Sequence, residues 1–401
     1  MTNQDEAKIE RLLSRGVEAL YPSREKFEER LKSGKKLRIY VGFDPTAPQL
    51  HIGHALQLRK LREFQDLGHE IIMLVGSFTG MIGDPTDKDA ARTQLSQKDV
   101  LRNASTYKKQ ASKILSFSGR NSAKIMFNHK WLSKLSFKDV IELASHFTVQ
   151  QMSERDMFAK RLETGKPIHL HEFMYPLMQG YDSVAMDVDI ELGGNDQLFN
   201  MLAGRTLMKA MKQKEKLVLT LKLLTNDEGK KMSKSEGGFV ALGDAPNDMY
   251  GKIMAMHDSM ILPYFELLTD VAMEEVEGMR VAMEGGLNPR DVKARLARRV
   301  VTMFHSEAAA DGAQAHFETV FQKHEMPSEM EVFTFEGPKP IIEALTTTAL
   351  VDSKSEARRL IDQKAIKIDG TVVTSLDQTV VGTAEGVVLQ RGKRRFVKLI
   401  K

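Results

Sequence analysis

Not one of the 401 residues is a cysteine. That absence excludes disulfides and thiolate metal sites, leaves oxygen or imidazole ligands for any metal, and suits a reducing compartment. Long apolar runs are missing as well: stretches such as Ile71 to Val75 fall far short of the roughly 20 residues a membrane helix requires. No membrane partner is expected. The amino terminus, MTNQDEAKIERLL, has acidic and amide residues where a signal peptide carries a basic start and an apolar run. The expectation is a cytoplasmic protein. No internal repeat or low-complexity tract is visible.

What is present can bury a core: 42% of the residues are hydrophobic and 28% charged, and the length favours two or three domains over one. The net charge of +4 is small for a nucleic-acid binder, but it is unevenly spread. From Ile341 to Lys401 eleven Lys and Arg face seven Asp and Glu, while the preceding 340 residues balance. The last stretch, RGKRRFVKLIK, is the densest basic cluster in the chain. On charge alone it fits a solvated end as well as an RNA-contacting one.

Leu37 to Phe43 (LRIYVGF) reads as a buried strand. After the turn DPTAPQL a helix begins near His51, with apolar residues at Ala55, Leu58, Leu61, Phe64 and Leu67. Gly68 is its natural stop. Ile71 to Val75 is apolar throughout, as a parallel strand covered on both faces should be. With further strands at Ala123 to Phe127, Val188 to Leu192 and Leu217 to Leu224, the alternation predicts an α/β fold, a doubly wound parallel sheet. Its ligand site should lie at the carboxyl ends of the strands. The pattern places a Rossmann-like domain over residues 1–240, a helical domain over 241–324, a linker rich in Pro and Gly over 325–340 and a small α+β domain over 341–401. The Met-rich faces of the helical part read as core filling.

Two short motifs carry the chemistry. His51-Ile52-Gly53-His54 stands at the start of the first helix of the sheet domain, where unpaired N–H groups and the positive end of the dipole favour phosphate. Gly53 leaves the backbone open to a flat nucleobase. The second motif, Lys231-Met232-Ser233-Lys234-Ser235, is followed by Gly237-Gly238. Two cations and two hydroxyls beside glycines describe a phosphate-gripping loop able to meet charge on departing pyrophosphate. Either motif alone has a bland reading, as a surface histidine pair or a solvated loop.

Together and in this order the motifs resemble the two signatures of class I aminoacyl-tRNA synthetases. Four further stretches resemble the bacterial tyrosyl-tRNA synthetases over essentially the whole chain. They are YVGFDPTA from Tyr40, TGMIGDP from Thr79, YPLMQGYD from Tyr175 and GGNDQ from Gly193. The tail stretch SKSEARRLIDQKAIKIDGTVV is similar to an RNA-binding module named after a small-subunit ribosomal protein.

The resemblance implies roles residue by residue. Asp84, Tyr175 and Gln179 would bind the ammonium of tyrosine; Tyr40 and Asp182 would read its phenolic hydroxyl, with Asp182 accepting the hydrogen bond. Thr46 and His51 would hold the terminal phosphates of ATP. Gly42, Asp44, Gly53, His54, Asp196 and Gln197 would line the nucleotide and acyl portion, and Ser235 would join them. Lys88, Arg92, Lys231 and Lys234 would close over pyrophosphate. ATP with Mg2+ would be a substrate, with no tightly bound organic cofactor, and the partners would be tRNA(Tyr), tyrosine and a second copy of the chain. The implied chemistry is in-line attack of the tyrosine carboxylate on the α-phosphorus, without a covalent enzyme intermediate. Val41 stands where many relatives carry a cysteine, Asp87 replaces a glycine, and the lysine motif is KMSKS where some tyrosyl enzymes have KFGKT. A tryptophanyl synthetase is the nearest rival, opposed by Tyr40 with Asp182. An inactive RNA-binding regulator is opposed by the intact His51, His54, Asp84, Lys231 and Lys234, and an adenylating enzyme without tRNA by the basic tail.

Overall fold

The computed structural model describes residues 2–84, 95–224, 240–321, 330–335, 337–392 and 395–401. Its contacts group into two compact units, Met1–Asp244 with Met256–Val292, and Ala245–Ala255 with Lys293–Lys401.

The first unit is built on a six-stranded sheet: β1 (Val17–Tyr21), β2 (Arg38–Phe43), β3 (Glu70–Val75), β4 (Lys124–Phe127), β5 (Ile190–Gly194) and β6 (Leu217–Leu221). The spatial order is β1-β6-β5-β2-β3-β4. Every neighbouring pair is parallel except β1 with β6. The doubly wound sheet read from the sequence is therefore present, with an antiparallel edge strand that the sequence reading missed. β5 and β6 are buried at every residue, as strands covered on both faces must be. β1 is only half-buried, so it lacks the continuous apolar run that marks the others.

From β2 the chain winds outward through β3 and β4, then returns to the other side of β2 to lay down β5 and β6. The winding direction reverses between β2 and β5, the point at the carboxyl ends of the strands where a doubly wound sheet opens its ligand crevice. The helix Ile52–Asp66 follows β2 and ends at Leu67, with Gly68 at φ +91°, the left-handed stop that glycine takes at no steric cost. Helices Leu170–Met186 and Leu198–Lys212 pack closely through two glycines. A Cβ on Gly180 would stand 3.2 Å from the Gly204 nitrogen, and one on Gly204 would stand 3.3 Å from the Gly180 Cα. Helix Ile261–Leu268 also belongs to this unit. The Arg15 guanidinium caps its end by donating to the carbonyl oxygens of Phe265, Glu266 and Val271 at 2.7 to 3.0 Å. The sequence reading grouped residues 241–324 as one helical domain. The contacts instead group Met256–Val292 with the sheet and Ala245–Ala255 with the later helices.

In the second unit Tyr250 meets Phe317 with ring centroids 5.5 Å apart. Its carboxyl-end portion is a β domain with strands β7 (Glu331–Thr334), β8 (Lys339–Pro340), β9 (Ile366–Ile368), β10 (Thr371–Val372), β11 (Thr379–Val380), β12 (Val387–Arg391) and β13 (Arg395–Ile400). The turn between β9 and β10 is Asp369-Gly370, both at positive φ, the two-residue hairpin that this dipeptide favours. The stretch read as linker is not all linker. β7 pairs in parallel with β13, β8 pairs with β11, and Phe335 lies in the domain's core. Short strands between prolines and a glycine have no visible periodicity until a distant strand completes them.

Candidate functional site

The crevice at the carboxyl ends of β2, β3 and β5 gathers most of the described residues expected to form a site. Asp44 leaves β2 and accepts two hydrogen bonds, from Thr79 Oγ1 at 2.7 Å and from the Tyr175 hydroxyl at 2.8 Å. Gly76 makes this close approach possible, since a Cβ there would stand 1.9 Å from Asp44 Oδ1. Burial pushes the Tyr175 hydroxyl well above the ordinary tyrosine range, and the neighbouring Asp44 and Asp84 charges push the same way. Tyr175 therefore stays a hydrogen-bond donor.

Tyr175, Gln179 and Asp182 share one face of the helix Leu170–Met186, as their spacing allows. Asp182 is fully enclosed; its oxygens accept from Trp131 Nε1 at 2.7 Å and Asn128 Nδ2 at 3.2 Å. Burial raises its carboxyl well above the usual range against the pull of those two donors. Tyr40, on β2, is equally buried and meets Ser183 Oγ at 3.0 Å. Gln179 Nε2 donates to Glu191 Oε1 at 3.0 Å. Asp84 accepts from Arg155 Nη2 at 2.9 Å and from Gln197 Nε2 at 2.7 Å. Gln197 also reaches Asp196 at 3.3 Å. Both residues sit in the short turn Asn195–Gln197 that follows β5.

The histidine motif forms a capping arrangement. His51 is the N-cap: its Nδ1 accepts from the Gly53 N–H at 3.1 Å, and the His51 N–H donates to His54 Nδ1 at 3.0 Å. A Cβ on Gly53 would stand 3.0 Å from the His51 ring, so glycine serves the histidine here as well as any ligand. Burial, with the nearby His51, holds His54 well below the ordinary imidazole range. With Nδ1 committed as acceptor, the neutral His54 ring carries its proton on Nε2. Thr46 is exposed on the connection that leads to this helix, and within β2 Gly42 is exposed while Val41 is enclosed.

Lys88, Arg92, Lys231, Lys234, Ser235 and the Asp87 departure lie outside the described residues. The chain beyond the lysine motif is nonetheless tied to the histidine motif. Ile52 N–H donates to Val240 O at 3.0 Å, Leu242 N–H donates to Leu50 O at 2.9 Å, and His51 bridges Ala241.

Sequence reasoning missed Thr79, Asn128, Trp131, Arg155, Ser183, Glu191 and Lys216. Thr79 and Ser183 stand in or beside the stretches already singled out. Lys216 lies in KQKEKL, which reads as a solvated charge run. Among the described residues no group of three or more His, Asp or Glu side chains is arranged to hold a metal ion, and no helix is long and apolar enough to cross a membrane.

Comparison with known proteins gives a family and several relatives. The family profile "tRNA synthetases class I (W and Y)" matches residues 32–322, and the profile of the "Tyrosine--tRNA ligase SYY-like C-terminal domain" matches residues 318–399. The chain is 46% identical to a tyrosine–tRNA ligase of Moorella thermoacetica, covering 99% of this chain and 96% of that one. It is 48% identical to tyrosine–tRNA ligase 2 of Vibrio vulnificus, covering 96% and 97%. Among solved structures, a C-terminally truncated mitochondrial tyrosyl-tRNA synthetase of Coccidioides posadasii superposes with a TM-score of 0.62 at 25% identity, covering 77% of this chain and 91% of that one.

Proposed function

The chain belongs to the tyrosine–tRNA ligases of the class I synthetase family, and from that premise we propose how its residues carry that family's two-step reaction. It activates L-tyrosine with ATP to tyrosyl-adenylate and pyrophosphate, then transfers the tyrosyl group to the 3′ end of tRNA(Tyr). The observation that carries the reading is the pairing, in one crevice, of two buried carboxylates with different surroundings. Asp84 is held by Arg155 and Gln197; Asp182 is enclosed between Trp131 and Asn128, on the helix that also carries Ser183, the partner of Tyr40.

Asp84, with Tyr175 and Gln179, binds the substrate ammonium, a cation with three donors that suits one carboxylate and two oriented neutral groups. Tyr40 and Asp182 take the phenolic hydroxyl. Thr46 and the His51–His54 pair meet the phosphates of ATP, with the His54 Nε2–H as a neutral donor at a helix start. Gly42, Asp44, Gly53, Asp196 and Gln197 line the nucleotide and acyl portion. Lys88, Arg92, Lys231, Lys234 and Ser235 close over the departing pyrophosphate, where preorganised cations stabilise charge that develops in the transition state. The tyrosine carboxylate attacks the α-phosphorus in line, so the chain supplies alignment and charge and no nucleophile of its own. Magnesium comes with ATP as the counter-ion of its phosphates, bound mostly through phosphate and water.

The segment 241–324 takes the anticodon side of tRNA and 341–401 adds phosphate contacts. The chain works as a cytoplasmic homodimer. Support for a partner copy comes from helix Phe137–Ala144, which buries Leu143 but leaves Phe137 80% and Ile141 55% exposed one turn apart, an apolar face a monomer rarely leaves uncovered.

The test is amino-acid-dependent exchange of pyrophosphate into ATP across all twenty amino acids. Exchange with tyrosine and little with phenylalanine or tryptophan is expected, because an analogue without the hydroxyl leaves buried polar groups unpaired. Preferential exchange with tryptophan would overturn the substrate assignment.

A further inference from the structure

Beneath the proposed tyrosine site lies an ion pair that no catalytic step uses. Lys216 Nζ pairs with Glu191 Oε2, and the two side chains are 0% and 2% exposed. Glu191 stands opposite Tyr40 in the register of β5 and β2, so the pair lies on the same face of the sheet as the tyrosine hydroxyl. Lys216 Nζ also donates to Ser183 Oγ at 3.0 Å. Ser183 Oγ in turn lies 3.0 Å from the Tyr40 hydroxyl and 3.4 Å from Glu191 Oε2. Gly204 keeps the room for this ammonium: a Cβ there would stand 2.4 Å from Lys216 Nζ.

The chemistry of the pair imposes directions on its neighbours. An ammonium only donates. Ser183 Oγ therefore accepts from Lys216, and its one hydrogen has two acceptors in reach, Glu191 Oε2 at 3.4 Å and the nearer Tyr40 oxygen at 3.0 Å; given to the nearer, it makes Tyr40 the acceptor from Ser183. The Tyr40 hydrogen, which also has Glu191 within reach, can then turn to a ligand, whose phenolic oxygen accepts it while the phenolic hydrogen goes to Asp182. An ionised carboxylate only accepts. Glu191 therefore draws the amide NH2 of Gln179 toward itself and leaves the Gln179 carbonyl oxygen to accept from a cation. Stability alone is a weak reason for such a pair, because a well-packed apolar replacement is often equally stable.

We propose that the Lys216–Glu191 pair, acting through Ser183 and Gln179, fixes the hydrogen-bond directions by which Tyr40 reads the phenolic oxygen of tyrosine and Gln179 reads its ammonium. Lys216, Glu191 and Ser183 are positioning residues for substrate selectivity. The inference rests on the tyrosine site proposed above.

The deciding variants are Ser183→Ala and Ser183→Thr, assayed by pyrophosphate exchange with tyrosine, phenylalanine and varied ATP. Ser183→Ala should lower kcat/KM for tyrosine about tenfold, the worth of one well-formed hydrogen bond, and leave phenylalanine exchange and the KM for ATP unchanged. Ser183→Thr, which keeps the hydroxyl, should recover most of the loss. A double variant, Glu191→Gln with Lys216→Met, avoids a lone buried charge and should raise the KM for tyrosine at least tenfold with the KM for ATP unmoved. If Ser183→Ala stays within about twofold of the parent, or loses tyrosine and phenylalanine exchange equally, the relay is refuted and the pair is packing. Tyr40→Phe separates the two ideas. If it leaves the preference for tyrosine over phenylalanine intact, the reading of the tyrosine site itself fails. If Ser183→Ala alone leaves that preference intact, only the relay fails. Should the double variant not fold, the serine pair still decides.

Discussion

Arg155 Nη2 donates to Asp84 Oδ1 at 2.9 Å, with the arginine side chain 5% and the aspartate side chain 12% exposed. The carboxylate assigned to the substrate ammonium is thus already engaged by a guanidinium, with Gln197 on its other oxygen. Incoming ammonium must share Asp84 with Arg155 or displace it.

Arg155→Met removes the guanidinium and should destabilise the ligand-free protein by about 3 kcal/mol, the usual scale for breaking a buried pair. Tyrosine should restore part of that loss, because its ammonium then meets Asp84 without a competitor. Thermal unfolding with and without saturating tyrosine checks this: the rise in Tm on adding tyrosine should be larger in the variant than in the parent. An equal rise would mean that Arg155 and the ammonium do not compete.

The pairing of β7 with β13 and the burial of Phe335 set where the chain can be shortened. A chain ending at Gly337 would keep β7 and Phe335 but lose β13, exposing an aromatic side chain whose burial is worth about 2 to 3 kcal/mol. One ending at His324 removes the β domain whole. Both should retain tyrosine-dependent exchange and lose tRNA charging, with a shallower salt dependence of tRNA binding than the full chain. The Gly337 form should in addition bind a hydrophobic dye and aggregate more readily. If the His324 form charges tRNA as well as the full chain, the basic end does not contact RNA.

His69 is buried beside β3, where its Nδ1 accepts from the Leu37 N–H at 3.3 Å. Burial is the main cause that holds it at about 4 instead of its ordinary 6.5; Lys36 adds to this and Asp189 opposes it. The unfolded chain takes up a proton near pH 6.5 and the folded chain only near 4. Stability should therefore be full above pH 6.5 and fall as the pH drops toward 4, by about 2 kcal/mol between pH 7 and pH 5 from this group. Urea unfolding at the two pH values measures it. His69→Asn, which keeps an acceptor for Leu37, should show a smaller difference; an identical pH dependence would acquit His69.

Phe137 and Ile141 stand one turn apart and exposed on helix Phe137–Ala144. If a second copy covers them, Phe137→Asp with Ile141→Lys should shift the protein from dimer to monomer in sedimentation velocity at micromolar concentration, with unchanged helical content. A parent that already sediments as a monomer would remove the homodimer from the proposed function.

Local regularity was legible without a structure. The run Ile71 to Val75, the 3.6-residue pattern after His51, the stop at Gly68 and the Asp369-Gly370 turn each depend on residues a few positions apart, and such patterns leave a periodic trace. The two motifs were visible in the same way, as short runs of residue types, and their phosphate role belongs to the proposed function. What the tertiary structure alone decided is pairing across distance. β1 finds β6 with Val17 opposite Leu221, and β7 finds β13 with Val397 opposite Glu331; neither short strand is apolar enough to declare itself. Arg155 meets Asp84 from 71 residues away, and Lys216 meets Glu191 from 25. In sequence these are ordinary surface charges, because burial, the property that makes them matter, comes only from the elements packed around them.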